Sequence, residues 1–289
     1  MSRGKFETRR RRPPFWYYAA LVILAGILAF SIWYLADYYL GSREQAAEFE
    51  DLAGLVDSLR PVQGPSPTET WPEGDFPADS LLPLHRVPEA PENIRNDQGI
   101  LLEYAPLYET NDHMAGWLQI EGTRINYPVM QTPGQEDYYL QRNFSREWSS
   151  WGCLYAREEC DLDTPSDNVT IYGHNMKDGS MFAGLNDYTK REFWEEHRYI
   201  RFDTLKEHHV YEIFAVFTTT ATEGQGFAYH NFIHAGDEQE FDTFIAKCLS
   251  NSLYGTDLIP EYGDKILCLS TCEYTQENGR LVVAAVRIR

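Results

Sequence analysis

The longest apolar run lies near the N-terminus. Residues 15–36 read FWYYAALVILAGILAFSIWYLA, with no charged residue in 22 positions. At 1.5 Å per residue a helix of that length spans roughly 30 Å, the hydrocarbon thickness of a bilayer. Aromatics cluster at both ends, Phe15 to Tyr18 on one side and Trp33, Tyr34, Tyr38 and Tyr39 on the other, as at membrane interfaces. Ala46, Phe49, Leu52, Ala53 and Val56 then recur at helical spacing, which predicts a short amphipathic helix over 42–60. Residues 61–95 hold eight of the fifteen prolines and read as an extended, solvated spacer.

Beyond residue 96 the pattern alternates. Residues 97–109 fit a helix interrupted by Pro106. Residues 117–120 and 124–130 read as strands around the turn Glu121-Gly122-Thr123. A short apolar strand, 169–172, ends at Gly173, and two short helices are expected over 181–188 and 191–197. Strands follow at 199–202 and 210–220, the second rich in β-branched and aromatic residues. Residues 237–252 carry Phe241, Phe244, Ile245, Cys248 and Leu249 on one helical face. The last strands are 265–272 and 281–288. Many strands with few helix-length crossovers favour a mainly β fold: a largely antiparallel barrel or sandwich with peripheral helices.

Charge adds direction. The formal net charge is -19, from 25 basic and 44 acidic residues. Residues 1–14 hold six of the basic residues and one acid, so the rest of the chain carries about -24. Such a domain repels phosphate backbones, which argues against nucleic acid as a partner. The basic cluster Arg9 to Arg12 precedes the apolar run, and the positive-inside rule then places the N-terminus in the cytoplasm. A cleaved signal peptide would have a shorter apolar region and a small-residue cleavage site, and Ala-x-Ala does not occur just after this run. The expected organisation is a cytoplasmic basic tail (1–14), a single-pass plasma-membrane anchor (15–40), a helical and proline-rich extracellular spacer (41–95) and an extracellular catalytic domain (96–289).

Five cysteines leave at least one thiol without an intramolecular partner. Cys272 ends an apolar strand, where a side chain is held rigidly and still meets substrate. A thiol attacks as thiolate and needs a cationic or basic neighbour. Arg280 lies eight residues on, and a turn at Gln276-Glu277-Asn278-Gly279 would pair the flanking strands and bring it beside Cys272. His174 also stands at a strand end. Each has a bland reading too: a core cysteine, a solvated strand-edge arginine, a surface histidine. Cys153 and Cys160 are open to packing or to a disulfide, and His208-His209 reads as a solvated turn. Trp148 and Trp151 read as the cap of a barrel end. Cys268 and Cys272 lack the CxxC spacing of structural zinc sites and lie about 13 Å apart in a strand, so no metal is expected.

The segment YGHNMKDGSMF (172–182) resembles the histidine motif of sortases. LSTCEYT (269–275), followed by Arg280, resembles their Thr-x-Thr-Cys-type cysteine motif and arginine. The likeness to class B sortases continues upstream in WLQIEGT (117–123), YPVMQ (127–131), Tyr138-Tyr139-Leu140 and Arg142-Asn143-Phe144, and in the long helix ahead of the cysteine strand. It covers roughly 97–289, with Ser270 standing where many sortases carry threonine. The resemblance implies a sortase-like eight-stranded β-barrel and a two-step transpeptidation. Cys272 would attack a sorting-signal peptide after its threonine, and His174 would exchange protons with the leaving and incoming amines. Arg280 would hold substrate and oxyanion, while Asn175, Ser270, Thr271 and Glu273 would line the site. The implied partners are sorting-signal-bearing surface proteins and an amine from a peptidoglycan precursor or a pilin, and no cofactor is implied. Two other classes remain: a catalytically silent assembly module, and a papain-like hydrolase, whose cysteine precedes its histidine, the reverse of the order here.

Overall fold

A computed structural model describes residues 15–60, 87–222, 224–273 and 278–289. The basic tail and most of the expected proline-rich spacer lie outside them. The chain divides into two compact units, the first ending at Ala46 and the second running from Ala47 to Arg289.

The described part of the first unit is helical. Helix α1 (Phe15–Leu59) runs unbroken through the place where the apolar pattern suggests two helices. No proline falls between Ala36 and Ser42, and a glycine such as Gly41 costs a helix interior only about 1 kcal/mol. Its side chains over 15–36 are largely exposed, and the helix is long and apolar enough to cross a bilayer.

The second unit is a closed barrel of eight strands in the order β1-β2-β3-β4-β7-β8-β6-β5. These are β1 (Met114–Gln119), β2 (Asn126–Met130), β3 (Leu154–Ala156), β4 (Asn168–Tyr172), β5 (Tyr199–Thr204), β6 (Val210–Thr220), β7 (Ile266–Glu273) and β8 (Gly279–Arg287). Six of the neighbouring pairs are antiparallel. The pairs β2/β3 and β4/β7 are parallel, so the barrel is mixed. Short helical segments sit outside it: α2 (Ala105–Thr110), with Pro106 in its first turn, α3 (Arg191–Glu196), and 3₁₀ turns that include Tyr138–Gln141 and Phe182–Thr189. Strand β3 is absent from the sequence pattern because three residues are too few to show a period.

Helix α4 (Glu238–Asn251) begins at Asp237, whose carboxylate accepts a hydrogen bond from Glu240 N at 2.9 Å. Its apolar face, Phe241, Phe244, Ile245 and Cys248, packs on Phe214 and Phe217 of β6 and on Ile266, Val282 and Ala284. Strand β7 is buried on both faces from Ile266 to Thr271 and emerges at Cys272 and Glu273. That emergence places the thiol.

The end of α1 belongs to the barrel unit. Val56 is buried, and Phe49 packs edge-on against Tyr127 with ring centres 5.0 Å apart. Arg60 lies 3.7 Å from Glu103 and 3.8 Å from Asp203. Between those carboxylates sits His208, with Nδ1 2.8 Å from Asp203 Oδ2 and Nε2 3.2 Å from Glu103 Oε1. Tyr104 donates its hydroxyl to Asp203 at 2.6 Å. Burial pulls the His208 pKa down, but the two carboxylates more than reverse this and carry it up to about 9. His208 and His209 are 5% and 6% exposed, so the expectation of a solvated turn is corrected: the pair is buried, and His208 is an imidazolium bridging two carboxylates.

Candidate active site

Three strand ends meet at one rim of the barrel. In the parallel β4/β7 pair, Tyr172 stands opposite Ser270. Cys272 comes two residues further along β7, and His174 follows two residues past the end of β4. In the antiparallel β7/β8 pair, Cys272 stands opposite Arg280. The turn expected over 276–279 lies partly outside the described residues, but the strands on either side pair through Glu273 and Gly279. Asn278 takes a left-handed φ of 53°, a conformation that asparagine tolerates.

Among the five cysteines only Cys272 is partly exposed; the other four are buried and all five are free thiols. Burial raises the pKa of Cys153, Cys160, Cys248 and Cys268, which keeps them as unreactive thiols.

His174 is held from its ring and from its backbone. Nε2 lies 2.7 Å from Leu140 O. A carbonyl only accepts, so Nε2 carries the proton and Nδ1 is the nitrogen left to exchange one in the neutral ring. Leu140 O is brought there by Gly152, where a Cβ would lie 2.5 Å from that oxygen. Phe182 N donates to His174 O at 2.9 Å. Gly173 is required by packing, because a Cβ there would meet Leu154 and Phe182 at 2.5 and 2.7 Å.

The residues flanking Cys272 and His174 tie the two loops together. Gly173 N donates to Ser270 O at 3.2 Å, Thr271 Oγ1 to Gly173 O at 2.8 Å, and Asn175 Nδ2 to Cys272 O at 2.8 Å. Ser270 and Thr271 are 1% and 2% exposed; the Ser270 hydroxyl pairs with Tyr229 Oη. Glu273 is half-buried opposite Gly279. Asn186, which hydrogen-bonds Asn175, does not stand out in the sequence pattern, and Leu140 does so only within a block of family likeness.

A cavity of about 250 Å³ opens beside Arg280, walled by Asp137, Leu140, Tyr155, Tyr172 and Tyr229. Tyr155 donates to Asp137 Oδ1 at 2.6 Å. Burial lifts Tyr172 up to about 12, and it pushes Tyr155 and Tyr229 higher still, so all three are neutral phenols. The arrangement brings the partly exposed Cys272 thiol opposite Arg280, whose side chain lines this aromatic-walled cavity. Trp148 is open to solvent, 73% exposed, whereas Trp151 is buried and donates from Nε1 to Asp178 at 2.9 Å.

Residues 118–288 match the family model for the sortase domain. Sortase B of Listeria monocytogenes is 33% identical over 183 residues, covering 63% of this chain and 72% of that protein. A crystal structure of sortase B from B. anthracis in complex with AAEK2 superposes with a TM-score of 0.67 at 29% identity, covering 86% of this chain and 97% of that one. A crystal structure of sortase B complexed with triglycine gives a TM-score of 0.59 at 30% identity, covering 65% of this chain and 86% of that one.

Proposed function

Because this chain belongs to the sortase family of cysteine transpeptidases, as a class B member, we propose that Cys272, His174 and Arg280 carry out its transpeptidation. The observation that supports the reading is that Cys272 pairs with Arg280 across β7/β8, while the loop carrying His174 is tied to β7 on both sides of it, through Gly173 to Ser270 and Thr271 and through Asn175 to Cys272.

The Cys272 sulfur attacks the carbonyl carbon of the threonine in a sorting signal. Its proton passes to His174 Nδ1, and the negative charge that develops on the carbonyl oxygen is met by the Arg280 guanidinium. The C–N bond breaks, His174 returns the proton to the leaving amine, and a thioester remains on Cys272. An incoming primary amine attacks that thioester. His174 takes the amine's proton, the C–S bond breaks, and a new amide is released with Cys272 restored. The triglycine held by a sortase B relative supports an amine terminus as acceptor. Sorting-signal-bearing surface proteins are the donors, and a peptidoglycan precursor or pilin supplies the amine.

Residues 15–40 anchor the enzyme in the plasma membrane by a single pass, with the basic tail (1–14) in the cytoplasm and residues 41–95 leading to an external catalytic domain over 96–289. The length and apolar surface of α1 and the Arg9–Arg12 cluster support this topology. Ser270 and Thr271, buried with their hydroxyls engaged, hold the frame of the site.

The test is turnover of a fluorogenic sorting peptide with and without an amine acceptor. Wild type yields an amine-dependent product, and Cys272→Ala yields none while keeping its thermal unfolding midpoint. Turnover by Cys272→Ala, or cleavage with no amine adduct, overturns the proposal.

A further inference from the structure

Beyond Tyr172 the regular β4/β7 ladder stops, yet the two chains stay bound. Gly173 and Ser270 share a backbone bond, the Thr271 hydroxyl reaches Gly173 O, and the next contact is the Asn175 amide on Cys272 O. The side chain of Asn175 thus occupies the place that a strand N–H would fill, at the carbonyl of the reacting residue. A strand end without such a partner frays, because its last carbonyl is satisfied equally well by water.

The amide must be turned the right way. Cys272 O only accepts, so Asn175 must present nitrogen to it. What faces the other end of that amide decides the orientation. Asn186, on the 3₁₀ turn Phe182–Thr189, donates from Nδ2 to Asn175 Oδ1 at 3.0 Å and to Ala183 O at 2.9 Å. Asn186 Oδ1 lies 3.4 Å from Asn175 Nδ2. Ala183 O can only accept, so it fixes Asn186; Asn186 then fixes Asn175; and Asn175 grips Cys272. The amide orientation follows from this relay.

We propose that Asn175 and Asn186 are a positioning couple that locks the Cys272 backbone to the loop carrying His174 and so sets the approach of thiol to imidazole. The inference rests on the reading of Cys272 and His174 as the reacting pair. Asn175 grips Cys272 at its backbone oxygen and Asn186 holds Asn175, so both act through the geometry of the peptide they hold. A misplacement on the order of 1 Å in such a pair costs about 100-fold in rate, so the couple acts on kcat and leaves KM nearly unchanged.

The experiment uses the full-length chain in detergent with a fluorogenic sorting peptide and an amine acceptor. It also measures the pH profile of Cys272 alkylation by iodoacetamide, which needs no sorting substrate. Asn175→Asp is nearly isosteric and puts a carboxylate oxygen against Cys272 O; kcat falls about 10- to 100-fold, with KM within about two-fold and the alkylation profile displaced. Asn186→Leu keeps the Asn175 contact but removes its orienting donor, and kcat falls less. The double variant is no slower than Asn175→Asp alone, because Asn186 acts only through Asn175. Thermal unfolding of each variant shows that it is folded. A KM that rises at constant kcat, additive losses, or kcat and alkylation profiles equal to wild type would overturn the couple. If wild type itself gives no turnover, the reading of the site fails and the couple falls with it; active wild type with unaffected variants sinks the couple alone.

Discussion

Arg280 meets Cys272 across a single antiparallel pair, and its Nη1 donates to Gly279 O at 3.0 Å. That backbone tether aims a planar fork at the groove, and an ammonium has no such fork. Arg280→Lys is therefore expected to lower kcat/KM with the sorting peptide by about 100-fold, the scale of losing one oxyanion donor, while Cys272 alkylation stays near the wild-type rate. Near-normal turnover would leave Arg280 a merely structural residue. The closeness of Cys272 and Arg280 is legible in the sequence, since two contiguous strands and one turn connect them. The placement of His174 is legible only as a strand end; which strand it joins is not. Leu140 shows there only inside a block of family likeness, with no role attached, and Asn186 not at all. One contributes a backbone carbonyl that any residue would supply, and the other meets Asn175 through a loop return with no period.

Between elements the strongest organising feature is the charge cluster of Arg60, Glu103, Tyr104, Asp203 and His208, which joins the end of α1, the start of α2, β5 and the β5/β6 connection. The His208 pKa is about 9 in the folded chain against 6.5 for an ordinary imidazole. Because the folded value is the higher one, the stability it contributes is complete below about pH 6.5, declines as pH rises, and is gone above about pH 9. The unfolding midpoint should fall across that window in wild type and stay flat in His208→Gln. At pH 6 the same substitution leaves two carboxylates facing one arginine and should cost about 3–5 kcal/mol by denaturant titration. A pH-independent wild-type midpoint would contradict this role. The sequence hides the cluster, because its members come from three distant segments and a His-His pair ahead of a strand looks like any polar turn. Strand β6, by contrast, is legible to its ends, since most of its residues are β-branched or aromatic and leave little else for the chain to do.

For the molecule as a whole, the barrel unit reaches back to Ala47, so the part of α1 from Ala47 on is integral to the enzyme's body. A fragment of residues 47–289 is expected to match the full chain in kcat/KM on soluble peptides. A fragment of residues 87–289 lacks Phe49, Val56 and Arg60, and losing the two apolar anchors alone removes roughly 1.5–3 kcal/mol each. Its unfolding midpoint should drop by about 10 °C by calorimetry; equal midpoints would show that the helix end adds nothing. The parallel junction of β4 with β7 carries one more consequence. Gly173 and Thr271 are 98 residues apart in the chain, so the Cys272 strand and the His174 loop become neighbours only after β7 has been made and the barrel has closed. Such long-range pairing forms late and slowly. If Cys272 and His174 react as proposed, a nascent chain with its histidine loop complete stays inactive until β7 and β8 are delivered, and synthesis itself acts as the safety catch on the thiol.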